Sequence, residues 1–135
     1  KIFPNKIKIK IYENIPIAII QNKTEKKFYT KNGKAIKFFE IDELSNLPLV
    51  FGDHKSFSDF YKILKKVNFQ LSEIKKFYLF ESKRWDLVTR KNQTIKLPVK
   101  NYEKSIENFK DLKEQVNFEK YKIFDYRIND QLILK

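Results

Sequence analysis

The chain of 135 residues has no cysteine, no methionine, one histidine and two glycines. Without thiols it has no thiolate zinc site, iron–sulfur ligation, cysteine nucleophile or disulfide framework, and the redox compartment stays open. One imidazole, His54, cannot build a His-rich metal site. Two isolated glycines, Gly33 and Gly52, exclude a dinucleotide fingerprint and a P-loop, since both need several glycines in one turn for backbone to approach phosphate. No apolar run approaches the roughly 20 residues that cross a bilayer. A natural chain starts with Met, so its absence leads us to expect an internal or C-terminal piece of a longer polypeptide. What remains suffices for one domain: 16.4 kDa buries roughly two-thirds of its unfolded surface and folds without staples.

Charge is one-sided. Lysine and arginine total 29 against 17 acidic residues, a formal net charge of +12. Such an excess points to nucleic acid, an anionic membrane or an acidic partner. Only Arg84, Arg90 and Arg127 are arginines, however, and phosphate and base readers favour the planar guanidinium. The accompanying Ile, Asn, Phe and Tyr fit an A/T-rich coding bias, so much of the lysine reads as a solvated surface.

Period-two alternation in Lys6-Ile7-Lys8-Ile9-Lys10-Ile11 predicts a half-buried strand with lysines guarding its outer side. Pro16 then breaks the ladder. Strands follow over Ile17–Gln21, Lys26–Thr30 and Ala35–Glu40, with Lys31-Asn32-Gly33 as the hairpin turn between the last two. The segment from Ile41 is a loop ending in a short apolar run stopped by Gly52-Asp53, and Asp53 or Ser56 caps the next element. Phe57, Phe60, Tyr61, Leu64 and Val67 share one helical face, with Lys55, Lys62, Lys65 and Lys66 opposite, and this aromatic stripe reads as core. Strands Ile74–Glu81, Arg84–Arg90 and Thr94–Leu97 come next. Ile106, Phe109, Leu112 and Val116 mark a second amphipathic helix from about Asn101 to Val116, and Lys122–Ile128 with Gln131–Leu134 form a closing antiparallel pair. The expected fold is α+β: a bent, largely antiparallel sheet with two amphipathic helices on one face.

Catalytic constellations are scarce. His54 beside Asp53 reads as an exposed imidazole at a helix start. Asp42-Glu43 reads as a solvated loop pair with no His or Cys at metal-ligand spacing, and Asp86 as an exposed carboxylate on the face opposite Trp85. No cofactor is implied. A small hydrolase built on Asp42, Glu43 or His54 is the weakest reading, and a basic module stacking bases on its aromatics is the main alternative to a protein-binding domain. Surface recognition has two candidates. Lys83-Arg84-Trp85 joins cations to a residue type enriched in binding hot spots, although a lone Trp also serves as core. Gln131-Leu132-Ile133-Leu134-Lys135 ends the chain as an apolar strand without a central charge, the kind of edge that accepts a partner strand.

Five landmarks stand in order: Glu13-Asn14-Ile15-Pro16-Ile17-Ala18, Leu47-Pro48-Leu49-Val50-Phe51-Gly52, Lys83-Arg84-Trp85-Asp86-Leu87, Ile95-Lys96-Leu97-Pro98 and Asp125-Tyr126-Arg127. Together they resemble the periplasmic part of the cell-division family FtsQ/DivIB across essentially the whole chain. The resemblance implies that residues 1–18 end a POTRA domain and that residues 19–135 form the β domain. A transmembrane helix of the single-pass inner-membrane protein would precede both. It implies a non-enzymatic divisome scaffold that binds FtsB and FtsL and helps control septal peptidoglycan synthesis. By the same resemblance the partner adds a strand at Ile128, Asp130, Leu132, Ile133 and Leu134, with Lys83 or Arg84 offering charge to an acidic helix. Asn92-Gln93 stands where the family often has Asn-Gly, which predicts a weakened turn, and Lys83-Arg84 replaces a doubled arginine.

Overall fold

Residues 15–135 are described by the computed structural model, and the alternating segment Lys6–Ile11 lies outside them. Pro16 opens strand β1 (Pro16–Asn22), which turns through Lys23 at φ +55° into β2 (Glu25–Thr30). The turn at Gly33, φ +82°, leads to β3 (Ala35–Lys37). β3 stops short of the expected Glu40 because Phe38 and Phe39 leave the ladder to pack on Phe28, each with ring centroids 5.1 Å away. The short apolar run is itself a strand, β4 (Leu49–Phe51), too brief to show a period in sequence.

Helix α1 (His54–Lys66) starts where the Asp53 carboxylate accepts from the Ser56 N–H at 2.8 Å. That bond holds the Asp53 carboxyl below its ordinary value. Then come β5 (Ile74–Leu79), β6 (Trp85–Thr89), β7 (Thr94–Lys96), helix α2 (Tyr102–Leu112), β8 (Ile123–Asp125) and β9 (Ile133–Leu134); α2 stops at Leu112, short of the expected Val116, which lies 79% exposed on a separate 3-10 turn and not on the apolar face.

The described residues form one nine-stranded sheet in the order β3-β2-β1-β4-β5-β6-β7-β8-β9. It is mostly antiparallel, as expected. The parallel neighbours are β1–β4, β4–β5 and β7–β8, the last two joined through α1 and α2 because parallel strands need a long crossover. Register lays Val50, Phe77, Leu87, Ile95 and Phe124 in one cross-strand row. Phe57, Phe60 and Leu64 of α1 and Ile106 and Phe109 of α2 join the same buried cluster, so both helices cover one face. Trp85 lies inside it, stacked on Phe60 at 5.0 Å and 24°. The aromatic stripe is therefore core and offers no stacking platform for bases. Gly52 explains its place in the leucine-proline landmark: a Cβ there would stand 2.9 Å from Leu79 Cβ and 3.5 Å from the Trp85 ring, so backbone passes where a side chain cannot.

Two local readings are corrected, at His54 and Asp86. His54 is half-buried, its Nε2 2.8 Å from the Gly33 carbonyl and its ring 5.3 Å from Tyr29, so it ties the β2–β3 turn to the helix start. At the Asn92-Gln93 turn the glutamine has a task of its own. Asn92 takes φ +62°, and Gln93, 6% exposed, turns inward to donate from Nε2 to the carbonyls of Phe118 and Tyr121. Glutamine here closes the loop after α2, a task glycine cannot perform. Asp86 is also not exposed, as its ion pair below shows.

Candidate functional site

Within the described residues β9 forms one edge of the sheet, held only by β8, with Phe124 opposite Leu134 and Asp125 opposite Ile133. Ile123 and Lys135 exchange both hydrogen bonds, the Ile123 N–H donating at 3.2 Å and the Lys135 N–H at 3.1 Å. Antiparallel ladders alternate bonded and non-bonded pairs, so Leu134 points its N–H and C=O away from β8, into the open edge. Its side chain, with that of Leu132, packs partly buried on the core, whereas Ile133 faces the opposite side of the sheet. An extended peptide would find free backbone groups here, with Leu132 and Leu134 on one face and Ile133, beside the charged Asp125, on the other.

The strands of this hairpin are shorter than the sequence suggested. Ile128 and Asp130 lie on the β8–β9 turn, with Asp130 at φ +59° and the Gln131 N–H donating to the Ile128 carbonyl at 3.1 Å. Neither belongs to a strand, although Ile128, 51% exposed, remains an apolar group beside the edge. Leu132, Ile133 and Leu134 are brought together as expected.

Lys83 and Arg84 sit on the β5–β6 turn, Lys83 exposed at φ +72°. Arg84 is engaged inside the chain: Nη1 lies 2.6 Å from Asp86 Oδ1, and the guanidinium stands 4.6 Å over the Phe80 ring. Both partners of that ion pair are largely covered, with side chains 17% and 13% exposed, because strand alternation places Asp86 directly under the guanidinium. Asp86, Lys96, Asp125 and Ile133 then follow one another across β6, β7, β8 and β9. Three strand spacings separate Asp86 from Ile133, roughly 14 Å.

Sequence reasoning gave Asp125 and Arg127 no role of their own, yet they buttress the edge. Arg127 grips Asp125 in a fork, Nε to Oδ1 at 2.9 Å and Nη2 to Oδ2 at 2.7 Å, while its backbone N–H donates to Oδ1 at 3.0 Å. The i, i+2 spacing on a strand was the available signal, since it puts both side chains on one face. The Arg127 bonds bring the Asp125 carboxyl down to about 2, with Lys96 adding to the effect. Burial pushes the neighbouring Tyr126 phenol up, and its hydroxyl donates to Asn108 of α2 at 2.7 Å.

A carboxyl depressed in the fold stabilises above its unfolded value near 4 and loses that contribution as pH falls through about 2. Because Arg127 is half-exposed and partly screened, the contribution is on the order of 1–2 kcal/mol. Asp125→Asn should therefore be less stable than wild type by that amount at pH 7 in denaturant titrations. The gap should close between about pH 4 and 2; a gap independent of pH would show that the pair does not stabilise the fold.

The catalytic candidates do not converge. Asp42 and Glu43 lie on an exposed turn in the segment that crosses the outer face, near Phe28, Phe38 and Phe39, whereas His54 is on the helix side. Among the described residues no group of three His, Asp or Glu side chains is placed to hold a metal, and no helix is long and apolar enough to cross a membrane.

A model of the family described as "Cell division protein FtsQ/DivIB, C-terminal" matches residues 18–127. No curated protein matches the chain. The match runs from β1 to the end of the Asp125–Arg127 fork, and β9 follows it.

Proposed function

Starting from the fact that the chain belongs to the FtsQ/DivIB cell-division family, we propose that it is a non-enzymatic divisome scaffold that binds FtsB and FtsL by strand addition to β9. Members of this family are membrane-anchored division proteins with an extracytoplasmic domain. The chain acts on the periplasmic side of the inner membrane as part of a single-pass protein and helps control septal peptidoglycan synthesis. Residues 1–18 close a POTRA domain, and residues 19–135 are the β domain.

The observation that carries this reading is the outward N–H and C=O of Leu134 on an edge strand whose own side chains, Leu132, Ile133 and Leu134, are apolar. Leu132, Ile133 and Leu134 receive the partner strand, Ile128 and Asp130 flank it from the turn, and Lys83 and Arg84 stand at the far end of the charged row. Arg84 already has Asp86 as its counterion, so Lys83 is the cation offered to an acidic helix.

Amide exchange tests the site directly. On adding the extracytoplasmic segment of FtsB, the Leu134 N–H should become protected at least about tenfold while the β3 amides stay unchanged. Protection elsewhere with none at Leu134 would place the partner on another surface.

A further inference from the structure

Among the described residues the two edges of the sheet differ sharply in chemistry. At the edge opposite β9, the stretch from Lys23 to Lys37 holds six lysines and a single acid, Glu25, all on β2, β3 and their turns. Part of this charge opposes itself. The Thr30 N–H donates to the Lys34 carbonyl at 2.9 Å, which makes 30/34 a bonded pair. Alternation then makes Lys27 and Lys37 a narrow non-bonded pair, with Cα atoms roughly 4.5 Å apart and side chains on one face. Like charges directly opposite cost stability. Glu25 relieves Lys27 only at 3.9 Å, with both side chains at least half-exposed.

Charges on an edge strand block strand-to-strand aggregation, but Lys23, Lys31 and Lys34 stand on turns, where there is no strand to guard. The same stretch runs on into apolar groups. Ile36 is half-buried on β3, and Phe39, packed edge-on against Phe28, leaves 38% of its surface in water. Alternation sets Phe28, with Phe39 on it, on one face of the hairpin and Lys27 and Lys37 on the other, so ring and lysines converge along the exposed β3 edge; edge-on against an anionic bilayer, the ammonium groups meet phosphates and the ring enters the headgroup layer.

We infer that the β2–β3 hairpin docks the domain on anionic phospholipid, through Lys27, Lys31, Lys34, Lys37 and Phe39. Membrane anchoring, a property of this family, keeps such a surface within reach and raises its effective concentration. The inference is independent of strand addition at β9, and the two occupy opposite ends of the sheet.

The test is flotation of the full chain with vesicles containing about 30% phosphatidylglycerol in phosphatidylcholine, against pure phosphatidylcholine. Wild type should partition to the anionic vesicles at least tenfold better, and less so as salt rises. Lys34→Glu with Lys37→Glu should lose at least tenfold, whereas Lys91→Glu with Lys104→Glu, an equal charge change away from the hairpin, should lose less than threefold. Phe39→Ser should reduce the binding that survives high salt, and Leu134→Pro should leave vesicle binding unchanged, which separates this inference from the one on β9. Equal losses in both charge pairs would assign the effect to net charge alone. Binding to a soluble polyanion such as heparin but not to vesicles would assign the patch to another ligand; either result overturns the inference.

Discussion

Phe60→Ala should remove about 3–5 kcal/mol of folding stability, because this ring of helix α1 packs on both the sheet and helix α2. It is 1% exposed, stacks on Trp85 of β6, and lies 6.0 Å from Phe77 of β5 and 5.3 Å from Tyr102 of α2. Truncation forfeits the transfer energy of a phenyl ring and leaves a void that Trp85 and Tyr102 cannot close without leaving their own contacts. A domain this size has about 5–15 kcal/mol in total, so the variant should lie near its unfolding midpoint under mild conditions. Denaturant titration measures the loss. Trp85 is the only tryptophan and 5% exposed, so the native emission should be blue-shifted and should move to the red in Phe60→Ala even before unfolding. Val116→Ala, at a position 79% exposed, should be neutral within about 0.5 kcal/mol. A loss below about 1 kcal/mol for Phe60→Ala would mean the core is not shared between the helices.

Phe60 also shows why the fold was largely legible. Its helix announces itself by spacing alone, because Phe57, Phe60 and Leu64 recur at the period of one helical face and Asp53 caps at the expected place. Alternation likewise marks β6, where Trp85, Leu87 and Thr89 are buried between half-buried neighbours, whereas β1 and β2 show as short apolar or aromatic runs bounded by Pro16 and the Lys31-Asn32-Gly33 turn. β4 stayed hidden because three residues buried between two parallel neighbours are all apolar or half-buried and carry no period. Side-chain pairings were hidden for a different reason. That Asp86 goes under Arg84, that His54 reaches Gly33, and that Gln93 reaches two carbonyls near residue 120 are long-range matters of packing, and no local pattern encodes them. The candidate edge was readable as an apolar strand without charges. Its short length and the placement of Ile128 and Asp130 on a turn were not, because the left-handed Asp130 ends the β8 side only once the hairpin closes.

Leu134→Pro should weaken binding of the FtsB segment at least about 30-fold, close to 2 kcal/mol, if the partner adds as a strand to β9. The argument turns on which way one N–H points. Proline at 134 deletes a donor aimed into the open edge and puts a ring in the path of the incoming backbone, while the bonds exchanged by Ile123 and Lys135 stay intact. Ile133→Pro is less informative, since Ile133 faces Asp125 in the bonded register and its loss would loosen β9 from β8 before any partner arrives. Leu134→Ala keeps the donor and trims only a partly buried side chain, so it should cost under about tenfold. Affinity should also change little with ionic strength, because backbone pairing and apolar contact release few counterions, in contrast to a lysine-driven polyanion complex. Isothermal titration of the three chains against one peptide at low and moderate salt reads all of this. Equal affinity for wild type and Leu134→Pro would exclude β9 as the docking strand, and a steep salt dependence with no proline effect would move the partner to the lysine-rich edge.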